Sequence, residues 1–199
     1  TSLQGVMGRE YALKSGENPA VAQAIFEHYL PRFADDRLPE TMPGLVVGLA
    51  SRLDSLAGLF AVGLTPTGST DPYHLRRDAL GLVQNLVAHR VPFSIQEGLA
   101  AAARLLPVTV PPDALSQAVE FVIERLRGAL REQGFRYDGV DAVLAARGDV
   151  PFRAQRAVEA LRRLEVRSHQ GIAHGVQRRR RPPGVAVLVH QQRPDPLGE

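Results

Sequence analysis

The segment Pro66–Arg77 constrains the fold most tightly, because it combines a turn with the start of a helix. Pro66 and Gly68 suit a turn, since proline fixes φ and glycine tolerates positive φ. Asp71 can cap the helix that follows, and the proline after it suits a first helical position, where no donor is needed. We therefore predict a tight turn that presents a helix over residues 73–88.

The rest of the chain also predicts helices, packed around a core of leucine, valine and alanine. Tryptophan and cysteine are absent, and aromatic residues make up only 6% of the chain. Asn18 before Pro19 and Ser94 three residues before Glu97 are typical helix starts. The fold class predicted is all-α. Helices are predicted as a pair within residues 1–34 and singly over residues 44–62, 73–88, 95–106, 113–133, 138–146 and 152–164.

One acid interrupts the apolar stretch at residues 44–62. Asp54 lies inside it, and a buried carboxylate is costly unless it is paired or hydrogen-bonded. We expect Asp54 to be buried and paired with a base from another element, Arg76 or Arg77. A structural ion pair is favoured over a catalytic acid, because no second acid or histidine dyad accompanies it.

The formal charge of +3 is unevenly distributed. Residues 166–193 contain six arginines and no acid, so the remaining residues sum to −3. The high pI therefore belongs to a basic, proline-rich tail over residues 166–199, which we predict to be disordered. The body is mildly acidic, and general affinity for nucleic acid cannot be argued from pI alone.

The histidines do not predict a metal centre or a catalytic dyad. His28, His74 and His89 fall on three different predicted helices, without the spacing of metal ligands. The Gly68 turn lacks the lysine and the preceding strand of a P-loop. We predict no catalytic residue and no metal ligand, and leave open a backbone anion site at the helix start.

Arginines are the candidates for binding a polyanion. Arg9, Arg76 and Arg77 are predicted to contact an RNA backbone, and Arg32 and Arg52 are weighed with them. An equally good interpretation is that these arginines are scattered over the surface and are either solvated or paired with acids. No apolar run approaches the ~20 residues of a membrane span, so no membrane partner is expected. The absence of cysteine fits a reducing, cytoplasmic compartment.

Several segments, in order, carry a family resemblance. The chain resembles the β subunit of the bacterial two-subunit glycyl-tRNA synthetase over roughly residues 1–165. The first helix, the Glu-His-Tyr-Leu-Pro stretch and the Pro-Thr-Gly-Ser turn are together highly specific. The matching segments are Leu3–Ala12, Glu27–Pro31, Leu49–Phe60 and Pro66–Arg77, with weaker echoes in Phe121–Leu130 and Asp138–Ala145.

The resemblance implies an HD-like helical domain over residues 1–106 and a helical segment over 107–165 that leads towards a missing anticodon-binding domain. The chain would then be an internal fragment of a cytoplasmic α2β2 glycine–tRNA ligase. The resemblance implies that the β subunit binds tRNA and that the α subunit carries the active site, which uses ATP and Mg. The chain alone should hold no cofactor and should not aminoacylate.

Two departures from the family pattern matter. Ala50–Asp54 reads Ala-Ser-Arg-Leu-Asp where the family usually has Ala-Asp-Lys-Leu-Asp. The HD fold leaves one alternative open, namely that the chain is a stand-alone phosphohydrolase that acts on nucleotides through Asp54 and His28. From about Val166 the resemblance stops, as in a frameshifted reading or an unrelated end, so the chain can also be a truncated, non-functional product.

Overall fold

The computed structural model describes residues 3–33 and 36–164, and the regular secondary structure in this part of the chain is helical. Residues 151–164 are helical and follow the seven helices named below. No strand occurs in these two ranges, so the all-α prediction is confirmed for them. The helices are α1 (Val6–Lys14), α2 (Pro19–Glu27), α3 (Met42–Ala61), α4 (Leu75–Ala88), α5 (Ile95–Ala103), α6 (Pro112–Glu132) and α7 (Tyr137–Arg147).

Two of the helices begin at caps that local sequence signals predict. The Asn18 side chain accepts a hydrogen bond of 2.8 Å from the N–H of Ala20 at the start of α2. The Ser94 hydroxyl accepts one of 3.0 Å from the N–H of Glu97 at the start of α5. Both predicted caps are confirmed, and each satisfies a backbone donor that has no partner inside its helix.

Three predicted boundaries differ from the structure by two residues or more, and one of them is the start of α3, which lies at Met42 rather than at residue 44. Helix α4 begins at Leu75 rather than at residue 73, because His74 adopts a left-handed conformation with φ of 60°. A residue in that conformation cannot continue a right-handed helix. Helix α5 ends at Ala103 rather than at residue 106.

The apolar core lies between α3 and the helices that follow it. Helix α3 contacts α4, α5 and α6, and α6 also contacts α4, α5 and α7. The fully buried core leucines include Leu56 of α3, Leu82 of α4 and Leu126 of α6. Helices α1 and α2 pack on one another outside this core, and α2 packs on α3.

Helix α3 has the length and apolar composition of a membrane span, contrary to the expectation that no run of the chain approaches one. Half of its apolar stretch is buried against the rest of the fold, as in the core helix of a globular protein. It also carries Arg52, whose side chain is buried inside the protein. The length of α3 therefore reflects its central place in the core.

The chain divides into a unit over Thr1–Arg162 and a unit over Arg163–Glu199. The first contains every helix named above. The predicted domain boundary at residue 106 stays a prediction. The predicted disorder of residues 166–199 lies outside the described residues.

Candidate nucleic-acid interface

The turn before α4 is closed by its own backbone and capped by an acid. Thr67 and Thr70 exchange backbone hydrogen bonds of 3.1 and 2.8 Å, which close the turn around Gly68. The Asp71 carboxylate accepts hydrogen bonds from the N–H groups of Leu75, at 2.9 Å, and Arg76, at 3.0 Å. The predicted cap is confirmed. It also occupies donors that an anion at this helix start would need, which overturns the backbone anion site.

Four arginines line one open groove beside α4. Arg32 comes from the connection after α2, Arg76 and Arg77 from the first turn of α4, and Arg125 from α6. The groove has a volume of about 430 Å³. Phe33, which is 61% exposed, lies in its wall. We call this set of residues the arginine groove.

Most of the charge in the arginine groove is not neutralised. Arg32 forms an ion pair with Asp36, whose carboxylate lies 2.8 Å from its Nε. Within residues 3–33 and 36–164, no acid lies within salt-bridge distance of Arg76, Arg77 or Arg125.

The guanidinium groups of the groove are held by neutral acceptors and by a ring. Arg76 donates to the carbonyl of Gly68 at 2.6 Å, and Arg77 donates to the carbonyl of Arg32 at 3.4 Å. The guanidinium of Arg125 lies 5.4 Å from the ring centre of Phe121. Three positive charges are thus positioned without an ion-pair partner, an arrangement suited to phosphate oxygens.

The structure separates Arg9 from the other two predicted RNA contacts. Arg76 and Arg77 line the arginine groove, whereas Arg9 pairs with Glu10 at 3.1 Å and lies over the ring of Phe26 at 5.1 Å. Arg32 and Arg37 lie over the same ring, at 5.6 and 4.6 Å. Arg9 therefore belongs to a second group of arginines that is joined to the groove through Arg32.

The prediction for Asp54 is wrong, and its neighbour Arg52 takes the buried position. Asp54 is exposed, so it needs no buried partner. Arg52 is only 6% exposed. Its guanidinium donates to the carbonyls of His28 (2.9 Å), Tyr29 (3.1 Å), Leu30 (2.8 Å) and Gly48 (3.0 Å).

Arg52 therefore acts as a cap at the carboxyl end of α2, because it binds the carbonyls of the C-cap residue His28 and of the two residues that follow it. Burial lowers the pKa of Arg52, and the charge of Asp78 opposes that shift. From this position Arg52 does not line the arginine groove.

A second cavity adjoins the arginine groove. It has a volume of about 240 Å³ and shares Pro31, Arg32 and Arg77 with the groove. Its other side chains include two tyrosines, two serines and an acid. We call this cavity the tyrosine pocket, after Tyr29 and Tyr73; Ser51, Ser55, His28, His74 and Asp78 also line it.

The residues of the phosphohydrolase alternative do not form a metal site. His28 lines the tyrosine pocket and its Nδ1 lies 2.8 Å from the carbonyl oxygen of Ile25, but Asp54 does not line that pocket. Burial lowers the pKa of His28, and the charge of Arg52 adds to that effect. In the part of the chain that the structure describes, no three His, Asp or Glu side chains are grouped closely enough to hold a metal ion.

Sequence reasoning missed Arg125 of the groove. Its position in α6, beside Val122 and Leu126 of the buried stripe, indicates only that it flanks the core. Which helix lies opposite that flank depends on how α6 packs on α4, and the sequence of α6 alone does not encode this.

Comparison with known proteins gives one consistent family. The family model for the glycyl-tRNA synthetase beta subunit matches residues 1–145. The chain is 50% identical over 149 residues to the glycine–tRNA ligase beta subunit of Desulforamulus reducens, covering 72% of this chain and 21% of that protein. It is 48% identical over 153 residues to the beta subunit of Moorella thermoacetica, covering 74% and 22%.

The beta subunit of Clostridioides difficile is 45% identical over 166 residues, covering 82% of this chain and 24% of that protein. The chain therefore spans about a fifth to a quarter of the length of the curated relatives that it matches.

Proposed function

Because this chain belongs to the glycyl-tRNA synthetase beta subunit family, we propose that it is a tRNA-binding, non-catalytic part of a glycine–tRNA ligase. In this role it supports the ATP-dependent attachment of glycine to its tRNA by a complex of two kinds of subunit. The arginine groove is the observation that carries the proposal.

The chemistry of the groove suits an RNA backbone. Arginine guanidinium groups present several N–H donors in a fixed plane, which matches the geometry of phosphate oxygens. Arg76, Arg77 and Arg125 form no ion pair within the described ranges, so phosphates would not have to displace a paired acid. The exposed ring of Phe33 adds a surface on which an unpaired base can stack.

The proposal assigns the remaining roles to other parts of the ligase. An α subunit would carry the active site, with ATP and Mg, in an α2β2 assembly located in the cytoplasm. This chain would bring glycine tRNA to that assembly and would not aminoacylate alone. No described cluster of residues supports a nucleotide phosphohydrolase, so we do not carry that alternative further.

The salt dependence of tRNA binding tests this proposal. Each phosphate contact that is lost should lower the slope of log K against log salt by about 0.7 to 0.9. The double variant Arg76→Ser, Arg77→Ser should therefore bind a glycine tRNA transcript more weakly, with a slope lower by about 1.4 to 1.8.

The control is Arg131→Ser, Arg136→Ser, which removes the same charge from two arginines that line neither cavity. It should keep the wild-type slope, apart from a small long-range effect. Equal losses of tRNA affinity and of salt slope in the two double variants would show that binding depends only on net charge. That result would refute the assignment of the groove.

A further inference from the structure

The tyrosine pocket has a composition that phosphate binding does not explain. Two exposed aromatic rings line it, since Tyr29 is 37% exposed and Tyr73 is 48% exposed. Contacts to an RNA backbone need positive charge, whereas aromatic rings that face a cavity offer stacking surfaces to a planar ligand. The volume of about 240 Å³ lies below the ~300–1,000 Å³ of pockets for drug-sized ligands, which favours a ligand the size of one base.

An acid without a hydrogen-bond partner lines the same pocket. Asp78 is half-buried, and its carboxylate accepts no hydrogen bond from any residue in the ranges that the structure describes. Burial raises the pKa of Asp78, while the charges of Arg52, Arg77 and His74 oppose that rise. These bases offset only part of the effect of burial, and they do not occupy the acceptor positions of the carboxylate.

The pocket also continues directly into the arginine groove. Pro31, Arg32 and Arg77 line both cavities. A strand of RNA whose phosphates lie along the groove therefore passes the mouth of the pocket. Proteins that read RNA sequence commonly take an unstacked base out of the strand, stack it on aromatic rings and bond its Watson–Crick edge.

We infer that the tyrosine pocket binds one unstacked guanine base of the RNA that lies in the arginine groove. Guanine presents N1–H and the N2 amine side by side, and these two donors match the two oxygens of the Asp78 carboxylate. The hydroxyls of Ser51 and Ser55 are available as donors to the O6 acceptor. Adenine has an acceptor at N1, which would face the carboxylate unfavourably.

This inference rests on the proposed function, because the groove must bind an RNA strand, but it also requires that the pocket select guanine. Short labelled RNAs distinguish RNA binding by the groove from base selection by the pocket. The probes are a fluorescein-labelled hexauridine and three derivatives in which one central uridine is replaced by guanosine, inosine or adenosine. Binding to the full 199-residue chain is measured by fluorescence anisotropy.

The wild-type chain should bind the guanosine probe about tenfold more tightly than the adenosine probe, the size expected for a paired hydrogen bond to a base edge. Inosine lacks the N2 amine and should fall between them. Asp78→Asn should reduce the preference for guanosine over adenosine to about one. The matched control Asp54→Asn removes an exposed acid of α3 that does not line the pocket and should leave the preference unchanged.

A second variant, Tyr73→Leu, tests the pocket independently in case Asp78→Asn does not fold. Tyr73→Leu should weaken the guanosine and adenosine probes alike, because stacking does not depend on base identity. Tyr11→Leu, which changes an exposed tyrosine that lines neither cavity, should have no effect.

Equal affinities of the wild-type chain for all four probes would overturn the guanine pocket and leave the groove intact. A guanosine preference that survives Asp78→Asn would overturn it as well, and so would unchanged affinity of Tyr73→Leu for both the guanosine and the adenosine probes. Failure to bind even hexauridine would refute the groove together with the pocket. A guanosine preference that persists in Arg76→Ser, Arg77→Ser with an unchanged salt slope would keep the pocket and refute the groove.

Discussion

The apolar core and the junction between α2 and α3 bury their side chains by different chemistry. The core leucines of α3, α4 and α6 belong to one cluster of buried apolar side chains. At the junction, two charged side chains, Glu27 and Arg52, are buried to 2% and 6% exposure. Arg52 caps the carboxyl end of α2. Glu27 accepts hydrogen bonds from the backbone and hydroxyl of Thr41, at 2.9 and 2.6 Å.

Tight backbone approaches accompany these two charges. A Cβ on Gly44 would collide with the Glu27 side chain, and one on Gly81 would lie 2.8 Å from the Nε of Arg52. Asn85 also donates to the Leu30 carbonyl, at 3.0 Å. We call Glu27, Thr41, Arg52 and Asn85 the polar junction.

Substitutions in the apolar core and in the polar junction should therefore have different effects on the fold. Burial of leucine is non-directional and tolerates repacking, whereas a buried charge depends on a particular set of partners. The polar junction also adjoins the arginine groove, because Pro31 and Arg32 follow the carbonyls that Arg52 binds. Loss of the junction should therefore displace the groove while the core remains folded.

Arg52→Met should have the largest effect. It keeps an unbranched side chain but leaves the end carbonyls of α2 without their donor, at a cost of about 4 kcal/mol. Amide hydrogen exchange should accelerate in α1 and α2 and stay slow in α4 and α6. Acceleration of equal size in all four helices would show that the junction and the core form one cooperative unit.

Leu82→Ala should rank second and act on the whole fold. Leu82 is fully buried in α4, and the cavity left by its truncation should cost about 3 kcal/mol. Exchange should accelerate in α3, α4 and α6 together, and the midpoint of denaturant unfolding should fall. Acceleration confined to α1 and α2 would contradict the proposed division of the molecule.

Glu27→Gln should have the smallest effect, about 1.5 kcal/mol, and that effect should depend on pH. Burial alone would raise the pKa of Glu27, but hydrogen bonds from Thr41 and Gln23 outweigh it and hold the pKa below its ordinary value. The unfolded chain therefore binds the proton more tightly. The stability that Glu27 contributes is complete above its unfolded pKa of about 4.3 and is lost as pH falls through the folded pKa.

The measurement is the unfolding free energy of wild type and Glu27→Gln between pH 3 and 7. The difference should be constant near neutrality and shrink in acid. A difference that grows as pH falls would mean that the pKa of Glu27 is raised in the folded protein.

The sequence predicted what depends on neighbours along the chain. The caps at Asn18, Asp71 and Ser94 involve partners within five residues, and all three are present. The error at Asp54 has a physical origin, because a helix that is apolar on most sides gives little indication of which polar residue faces inward. Arg52 is buried because carbonyls more than twenty residues earlier need donors.

The candidate site follows the same rule. Arg76 and Arg77 could be selected from their place at a helix start, but their convergence with Arg32 and Arg125 depends on helix packing. The position of His74 in a left-handed conformation, which moved the start of α4, was also beyond local patterns.

Amide hydrogen exchange of the chain with and without a glycine tRNA transcript tests whether the arginine groove binds tRNA. Exchange should slow on binding in residues 28–33 and 66–80, which contain most residues of the groove and the pocket, and should stay unchanged in α7. Protection confined to α7 and residues 151–164, or no protection at tRNA concentrations that saturate binding, would contradict it.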